Sequence, residues 1–136
     1  MRKPQSAFTL LEIMLVVTII ALLLAAAIRF MSPNLDVAKS VRVTGDIQSI
    51  STSLLAYNGL NGFYPTTEQG LQALVTSPST EPKPARWQQF MEQVPTDPWG
   101  MPYIYKCPGL KNPTKYDLYS AGPDRLPDTA DDNWGK

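Results

Sequence analysis

Histidine is absent from this chain, and cysteine is nearly so. The 136 residues include no His and a single Cys, at position 107. Without His the commonest general base is missing, and neither a Ser–His nor a Cys–His dyad can form. A lone thiol allows no disulfide within the chain, so the simplest interpretation of Cys107 is a small, partly buried side chain, with intermolecular pairing as the alternative. We therefore expect a protein that is not an enzyme.

Net charge is also lacking. Twelve Lys and Arg residues balance twelve Asp and Glu residues, so no excess of positive charge favours nucleic acid as a partner. The length predicts one domain. Most of the 13 prolines stand beyond residue 60, which favours a C-terminal half rich in loops.

What the chain does have is a long apolar run near its start. From Phe8 to Ile28 the only charged residue is Glu12, and neither Gly nor Pro interrupts the run. At ~1.5 Å per helical residue the run is about 32 Å long, enough to cross the hydrocarbon core of a bilayer. Arg2 and Lys3 precede it, and the positive-inside tendency puts the N-terminus in the cytoplasm and the rest of the chain across the membrane.

Glu12 is the unusual residue in this run. A carboxylate inside a membrane-spanning helix costs about 3 kcal/mol on insertion scales, so its presence indicates a function. The alternative is a shallow position near the headgroups, where the side chain reaches the interface or is protonated.

The residues around Glu12 resemble the processing site of type IV pilins and type II secretion pseudopilins. The matching stretch is Ala7-Phe8-Thr9-Leu10-Leu11-Glu12. The resemblance implies that a prepilin peptidase cuts between Ala7 and Phe8, and that the new amine of Phe8 is methylated. It also implies that Glu12 pairs with the amine of a neighbouring subunit and so acts in assembly, since a buried charge is tolerable only with such a partner.

Two positions depart from the family pattern. Ala7 stands where the family usually has Gly before the cut, and Arg29 stands where the family commonly carries Pro. We expect Arg29 to mark the outer boundary of the membrane, and Pro33 to break or bend the helix just beyond it.

A secretory signal peptide is the competing interpretation of the same residues. A basic start, an apolar core and the small residues Ala25–Ala27 also fit a cleavage site that would leave a chain starting at Ile28. Glu12 counts against this interpretation, because a charge at that position splits the apolar core.

A second helical pattern follows Pro33. Apolar residues recur there at three- and four-residue steps, which predicts an amphipathic helix that ends at the Asn-Gly pairs 58–59 and 61–62. The residues predicted on this helix face are Val37, Val41, Val43, Ile47, Ile50, Leu54 and Tyr57. We expect the stripe from Val43 to Tyr57 to pack on a small head, with packing between subunits as the alternative.

Short elements are predicted in the C-terminal half. Thr66 and Gln69 have the spacing of a capping box at the start of a short helix. Met101–Lys106 and Lys115–Tyr119 alternate enough to predict two short antiparallel strands. Trp99, in a rigid turn before the first strand, is expected to be a packing anchor.

Three phrases in this half make the resemblance more specific. They are YPTTEQGLQALV (Tyr64–Val75), DPWGMPY (Asp97–Tyr103) and YDLYSAGPD (Tyr116–Asp124). In order and spacing they resemble the major pseudopilin family of type II secretion, general secretion pathway protein G. Recognisable pieces extend from about residue 8 to residue 132.

The residues with the clearest chemistry are acidic and stand near the C-terminus. They are Asp124, Asp128, Asp131 and Asp132. Ca²⁺ takes oxygen ligands from carboxylates and backbone carbonyls on flexible loops, whereas a zinc-type site is excluded in a chain without His. The spacing is not that of an EF-hand, and a solvated acidic tail is the alternative.

The resemblance implies a calcium site in this loop. The acids at the family's ligand positions are Asp124, Asp131 and Asp132. Backbone carbonyls, including that of Ala121, would complete the shell. Asp128 falls where the family varies and is left out of the shell, and Arg125 stands where the family often has Gly. We expect bound Ca²⁺ to hold the C-terminus on the strands and to stabilise the folded head.

These features predict an α+β fold of the type IV pilin-like class. A long N-terminal helix, first transmembrane and then amphipathic, packs on a small C-terminal head that has a short antiparallel sheet and a calcium-binding loop. The predicted domains are a leader peptide (1–7), a transmembrane and assembly helix (8–33) and a periplasmic head (34–136).

The resemblance also implies a function. The protein would be a single-pass structural subunit in the bacterial inner membrane with its head in the periplasm. Copies would polymerise through the hydrophobic helix into a periplasmic filament, the pseudopilus, that drives export of folded proteins across the outer membrane. Besides other copies of the chain, the implied partners are minor pseudopilins, the inner-membrane secretion platform and the prepilin peptidase.

Other functions fit parts of the sequence. A type IV pilin or a competence-type pseudopilin would use the same assembly chemistry. A monomeric, membrane-tethered, calcium-dependent binding module would keep the acidic loop but form no filament. An enzyme would need Asp97 and the terminal aspartates as a carboxylate pair, but no Gly-rich loop, nucleophile elbow or catalytic His supports that function.

Overall fold

The structure is a computed structural model that describes residues 8–136, except for the side chains of residues 31–34. The chain divides into two compact units, one ending at Val37 and the other formed by Ala38–Lys136. The proposed leader, residues 1–7, lies outside the described residues, and the boundary predicted between residues 33 and 34 stays a prediction.

One long helix, α1, extends from Leu10 to Asn61. Thr9 caps its start, because the backbone N–H of Glu12 donates to both the carbonyl and the hydroxyl oxygen of Thr9, at 3.1 and 3.3 Å. Such a cap gives a partner to an N–H that has none within the helix. The helix ends where Gly62 takes a φ of 82°, a conformation that Gly adopts without steric cost.

Pro33 does not break this helix, so that part of the prediction is wrong. The α-helical conformation continues through residue 33 to Asn61. A proline inside a helix removes one backbone hydrogen bond and costs about 3 kcal/mol. The many remaining hydrogen bonds of a 52-residue helix outweigh that loss.

The first part of α1 is the apolar run. Within residues 8–136, α1 is the one helix long and apolar enough to cross a membrane, with a window of mean hydropathy 2.8. Its large apolar side chains from Leu10 to Phe30 are exposed. An exposed apolar surface of this size is typical of a segment that contacts lipid or other protein chains.

The second part of α1 supplies one face of the core of the head. The buried residues of this core are Val43, Ile47, Ile50, Leu54, Tyr57, Leu71, Ala73, Leu74, Tyr103, Tyr105 and Leu118. Val37 and Val41 were predicted to share one helix face with these residues, but they are 63% and 66% exposed, so that prediction is wrong for both. At ~100° per residue, Val41 lies about 200° around the helix from Val43.

The capping box predicted at Thr66 is present. The Thr66 N–H donates to Oε1 of Gln69 at 3.1 Å, and the Gln69 N–H donates to Oγ1 of Thr66 at 3.2 Å. It opens a turn that leads into a short 3₁₀ helix, Leu71–Leu74. Leu71 and Leu74 both point into the core.

The two predicted strands are present and antiparallel, but shorter than expected. Strand β1 is Ile104–Lys106 and strand β2 is Asp117–Tyr119. Pro102 has no N–H to donate to a ladder, and it forms an isolated bridge with Thr96 instead. Trp99 packs against the core as predicted. The architecture is therefore the α+β one expected from the sequence.

Candidate functional site

The N-terminal candidate site lies at the start of α1. Phe8 and Glu12 are both exposed there, and Glu12 is the acid in the first helical turn. Ala7, the residue before the proposed cut, lies outside the described residues. The Thr9 cap stabilises the first turn of α1. The position of Glu12 is therefore set by that turn, close to the proposed new N-terminus at Phe8.

The acidic loop near the C-terminus is closed at its base by a backbone bridge. The Ser120 N–H donates to the Asn133 carbonyl and the Asn133 N–H donates to the Ser120 carbonyl, both at 2.9 Å. Ser120 directly follows β2. The bridge therefore continues that strand and places the end of the loop, at Asp131 and Asp132, beside its beginning at Ala121.

Gly122 allows the two ends of the loop to approach closely. It has a φ of 71°, and a Cβ at this position would overlap the carbonyl oxygen of Asp131. Gly has no such atom and tolerates the positive φ. The backbone of Gly122 therefore lies against that of Asp131.

Asp132 has a side-chain oxygen that is buried without a partner in the described part of the chain. Its Oδ1 atom is buried and has no hydrogen-bond partner among the described residues. A buried carboxylate oxygen without a donor is costly, and a bound cation would remove that cost. The carboxylates of Asp131 and Asp132 and the backbone carbonyls of this loop are oxygen ligands of the kind that Ca²⁺ takes.

Asp124 is held in its own turn instead. Its Oδ1 accepts a hydrogen bond from the Leu126 N–H at 3.0 Å. Within residues 8–136, no group of three or more His, Cys, Asp or Glu side chains is arranged to hold a metal ion. The structure thus brings Ala121, Asp131 and Asp132 together by their backbones, and it does not bring the three predicted carboxylates into one cluster.

Asp128, which the prediction left out of the shell, has protein partners for both oxygens. Oδ1 accepts from the Tyr119 hydroxyl at 3.0 Å and Oδ2 lies 3.4 Å from Nζ of Lys106. Burial and this carboxylate together raise the pKa of Tyr119 to about 12. Asp128 therefore belongs to a contact between the loop and the sheet.

Two buried carboxylates hold segments beside the two strands in place, through hydrogen bonds that the sequence did not indicate. The first is Asp97, which is 2% exposed. Its Oδ1 accepts from the N–H groups of Trp99 and Met101 at 3.1 and 2.8 Å, and its Oδ2 accepts from the Ser120 hydroxyl at 2.6 Å. An Asp that starts a turn is a recognised local pattern, but the bond to Ser120 joins residues far apart in sequence.

The second is Asp117, also 2% exposed. Its carboxylate accepts from the N–H groups of Leu110, Lys111 and Asn112 and from the Asn112 side-chain amide, at 2.7 to 3.2 Å. Burial acts to raise the pKa of Asp117, but these hydrogen bonds lower it, and the net result is a lowered pKa. Asp117 therefore holds the loop between β1 and β2 in place.

Comparison with known families matches both halves of the chain. A family model described as type II secretion system (T2SS), protein G, matches residues 30–134, and one described as a prokaryotic N-terminal methylation motif matches residues 2–28. The two matches meet at the end of the apolar run, on either side of Arg29, and together they account for residues 2–28 and 30–134.

Individual relatives agree with the family models. Type II secretion system core protein G of Pseudomonas aeruginosa is 44% identical over 125 residues, which cover 90% of this chain and 87% of that protein. The protein of the same name from Dickeya chrysanthemi is 41% identical over 138 residues, with coverages of 98% and 89%.

A solved structure supports the same conclusion. The crystal structure of the major pseudopilin from the type 2 secretion system of enterohaemorrhagic Escherichia coli superposes with a TM-score of 0.69 at 39% identity, covering 74% of this chain and 85% of that one. Family model, relatives and fold agree, and the chain belongs to the protein G family of type II secretion systems.

Proposed function

We infer that this chain is a structural subunit of the pseudopilus of a type II secretion system. The observation that carries this function is the match to the protein G family over residues 30–134. The fold agrees with it, because α1 combines an exposed apolar segment with a segment that is part of a compact head. The first segment suits polymerisation, and the second presents a folded surface.

Processing comes first. A prepilin peptidase cuts between Ala7 and Phe8, and the new amine of Phe8 is methylated. The N-terminal methylation motif at residues 2–28 supports this step. Ala7 is small, as a residue in a peptidase cleft next to the scissile bond needs to be, although the family usually has Gly there. Thr9 then caps a helix that starts almost at the new terminus.

The processed chain is anchored in the bacterial inner membrane before it assembles. The apolar segment of α1 crosses the membrane once, with the N-terminus on the cytoplasmic side, where Arg2 and Lys3 held it before the leader was removed, and with the head in the periplasm. On polymerisation the exposed side chains between Leu10 and Phe30 exchange contacts with lipid for contacts with other copies. In lipid such helices associate by close packing and polar contacts and not by a hydrophobic driving force.

Glu12 sets the register of that packing. A carboxylate in the apolar core of a filament costs several kcal/mol unless it is paired, and the methylated amine of Phe8 on a neighbouring copy is the nearest complementary charge along the chain. Because Glu12 stands in the first turn of α1, one axial offset between neighbouring helices brings the two groups together.

Calcium holds the C-terminal loop. The groups that would bind Ca²⁺ are the carboxylates of Asp124, Asp131 and Asp132 and the backbone carbonyl of Ala121. The buried, unpartnered Oδ1 of Asp132 supports this site. When bound, the ion would neutralise carboxylates that otherwise repel one another and would tie the start of the loop to its end. Oδ1 of Asp124 accepts from the Leu126 N–H, and its other carboxylate oxygen would be the one to take part.

The remaining partners follow from the secretion system. We expect the filament to contact minor pseudopilins and the inner-membrane secretion platform, and to help move folded proteins across the outer membrane. No residue of this chain is assigned to any of those contacts.

Filament formation in cells that contain a prepilin peptidase tests this function. We expect the wild-type chain to form filaments visible by electron microscopy of sheared cells, and Glu12→Leu to insert in the membrane without forming them. Thr18→Leu is the matched control, because it also replaces a polar side chain in the apolar segment. Thr18 donates only to the Met14 carbonyl within the helix. Filaments of Glu12→Leu at the wild-type level would exclude the register function.

A further inference from the structure

A buried hydrogen-bonded pair lies directly beneath the acidic loop. Asp97 is 2% exposed and Ser120 is fully buried, and the Ser120 hydroxyl donates to Oδ2 of Asp97 at 2.6 Å. The other oxygen of Asp97 accepts from two backbone N–H groups in the turn that starts at Asp97. The pair therefore joins a rigid turn before β1 to the first residue of the loop after β2.

The Ser120 hydroxyl also reaches into the loop. Its oxygen accepts a hydrogen bond from the Gly122 N–H at 3.1 Å. That N–H belongs to the peptide unit that joins Ala121 to Gly122, and in a trans peptide the N–H and the C=O point in opposite directions. By fixing the N–H of Gly122, Ser120 also fixes the direction of the Ala121 carbonyl.

We propose that Asp97 and Ser120 are positioning residues that aim the Ala121 carbonyl at a bound calcium ion. This inference rests on the proposed calcium site. The carbonyl of Ala121 is one of the groups that would hold the ion, and the chain of hydrogen bonds from Asp97 through Ser120 to Gly122 controls where it points. Neither Asp97 nor Ser120 touches the ion.

The chemical identity of each residue suits this role. A carboxylate can only accept hydrogen bonds, so Asp97 forces the Ser120 hydroxyl to donate to it. The lone pairs of that hydroxyl then face the Gly122 N–H. A hydrogen bond to a carboxylate is stronger than one between neutral groups. Successive hydrogen bonds also polarise one another, so the bond from Ser120 to Asp97 and the bond from Gly122 to Ser120 strengthen each other. In Asp97→Asn the side-chain NH₂ group could donate to the Ser120 hydroxyl oxygen in competition with the Gly122 N–H. The hydrogen bonds that connect residues 97, 120 and 122 would then be weaker.

Calcium binding would in turn strengthen the hydrogen bonds that connect Asp97, Ser120 and Gly122. A cation on the Ala121 oxygen withdraws electron density from the peptide unit, and the Gly122 N–H becomes a better donor to Ser120. Groups that orient a metal ligand in this way typically change affinity ~10- to 100-fold when they are removed. A pair that only joined the turn at Asp97 to β2 would change folding stability and leave calcium affinity unaltered.

Calcium titration of the full chain in detergent micelles separates these roles. We expect CaCl₂ to bind Ser120→Ala and Asp97→Asn at least tenfold more weakly than the wild type by isothermal titration calorimetry, with all proteins folded by near-ultraviolet circular dichroism. Asp117→Asn is the matched control. Asp117 is an equally buried carboxylate that holds another loop by backbone N–H groups, and its variant should bind calcium with wild-type affinity.

The outcomes are distinguishable. Wild-type affinity in both Ser120→Ala and Asp97→Asn would overturn the positioning role and leave the calcium site standing. No binding by the wild type would overturn the site and the positioning role together. Equal weakening by Asp117→Asn would show a general effect of lost stability and would also overturn the role.

A measurement on the wild-type chain covers the case in which the variants do not fold. In a titration with CaCl₂ followed by nuclear magnetic resonance, the Gly122 amide proton should shift downfield and exchange more slowly as the ion binds. The amide of Leu110, which donates to Asp117, should not respond. A Gly122 amide that stays unchanged while calcium binds elsewhere in the loop would overturn the proposal.

Discussion

The indole ring of Trp134 lies nearly parallel to the phenol ring of Tyr119, with centroids 4.4 Å apart and planes inclined by 19°. Nζ of Lys111 lies 3.8 Å from the centroid of the same indole. Tyr119 is the last residue of β2, from which the acidic loop departs, and Trp134 follows the loop. The aromatic pair therefore fixes the far end of the loop to the strand where the loop begins.

Replacement of Trp134 should loosen the C-terminal segment. We expect Trp134→Ala to lower the free energy of unfolding by about 1–3 kcal/mol, because an aromatic pair contributes ~0.5–1.5 kcal/mol beyond its buried area and a cation–π contact adds ~0.5–1 kcal/mol. Trp134→Phe keeps a stacked ring and should lose less. Urea unfolding followed by circular dichroism measures both, and identical midpoints for Trp134→Ala and the wild type would show that the stack does not stabilise the head.

Removal of calcium should destabilise the protein. We expect excess chelator to lower the melting temperature, since a ligand present at 100 times its Kd stabilises the folded state by about 2.7 kcal/mol. Asp131→Asn and Asp132→Asn should melt near the chelated wild type, with or without calcium. Asp128→Asn is the control and should keep its response to calcium, because both oxygens of Asp128 contact protein groups. An unchanged melting curve of the wild type with chelator would contradict the site.

Asp117 should make the head sensitive to acid. Its pKa is lowered in the folded protein, so its contribution is present above the unfolded pKa of about 3.9 and is lost as the pH falls through the folded value. We expect Asp117→Asn to unfold ~1–3 kcal/mol more easily at pH 7, the usual effect of losing hydrogen bonds to a charged group. The difference from the wild type should shrink below about pH 4. A constant difference from pH 7 to pH 2 would contradict this assignment.

Arg125 should be a strained residue in the acidic loop. It has a φ of 61°, in the left-handed region that costs a residue with a side chain roughly 1–2 kcal/mol, and the resembling family often has Gly at this position. We expect Arg125→Gly to raise the free energy of unfolding of the calcium-bound chain by up to about 1 kcal/mol. This is the net effect, because Gly relieves the strain but also increases the conformational entropy of the unfolded chain. Arg125→Ala keeps the strain and serves as the control. Equal melting temperatures for the two variants would show that the backbone is not strained.

Local patterns in the sequence predicted most of the fold. The apolar run, the stripe from Val43 to Tyr57 and the capping box at Thr66 depend on residues a few positions apart, and the structure confirms each of them. The errors are also local. Proline is unfavourable in a helix, but Pro33 lies inside one of 52 residues, and Val41 is close to the stripe in sequence but about 200° around the helix from Val43.

The candidate site could be predicted only in part. The acids and Ala121 were indicated by composition and by family resemblance, and their role as ligands stays a prediction. The bond from Asp97 to Ser120 joins residues 23 positions apart, and no periodicity or turn pattern indicates which buried partner an Asp will find. Such contacts depend on how the turn at Asp97 packs beside β2, which only the folded structure reveals.

The mass and N-terminal residue of the protein isolated from native membranes test the central claim most directly. A pseudopilus subunit must keep its hydrophobic helix and lose its leader. We therefore expect a chain that begins at Phe8 with a methylated amine and retains residues 8–136. A chain that begins at Ile28 would mean that a secretory signal peptide had been removed. Such a protein would lack the hydrophobic segment of α1 with which to join a filament, and the account would be contradicted.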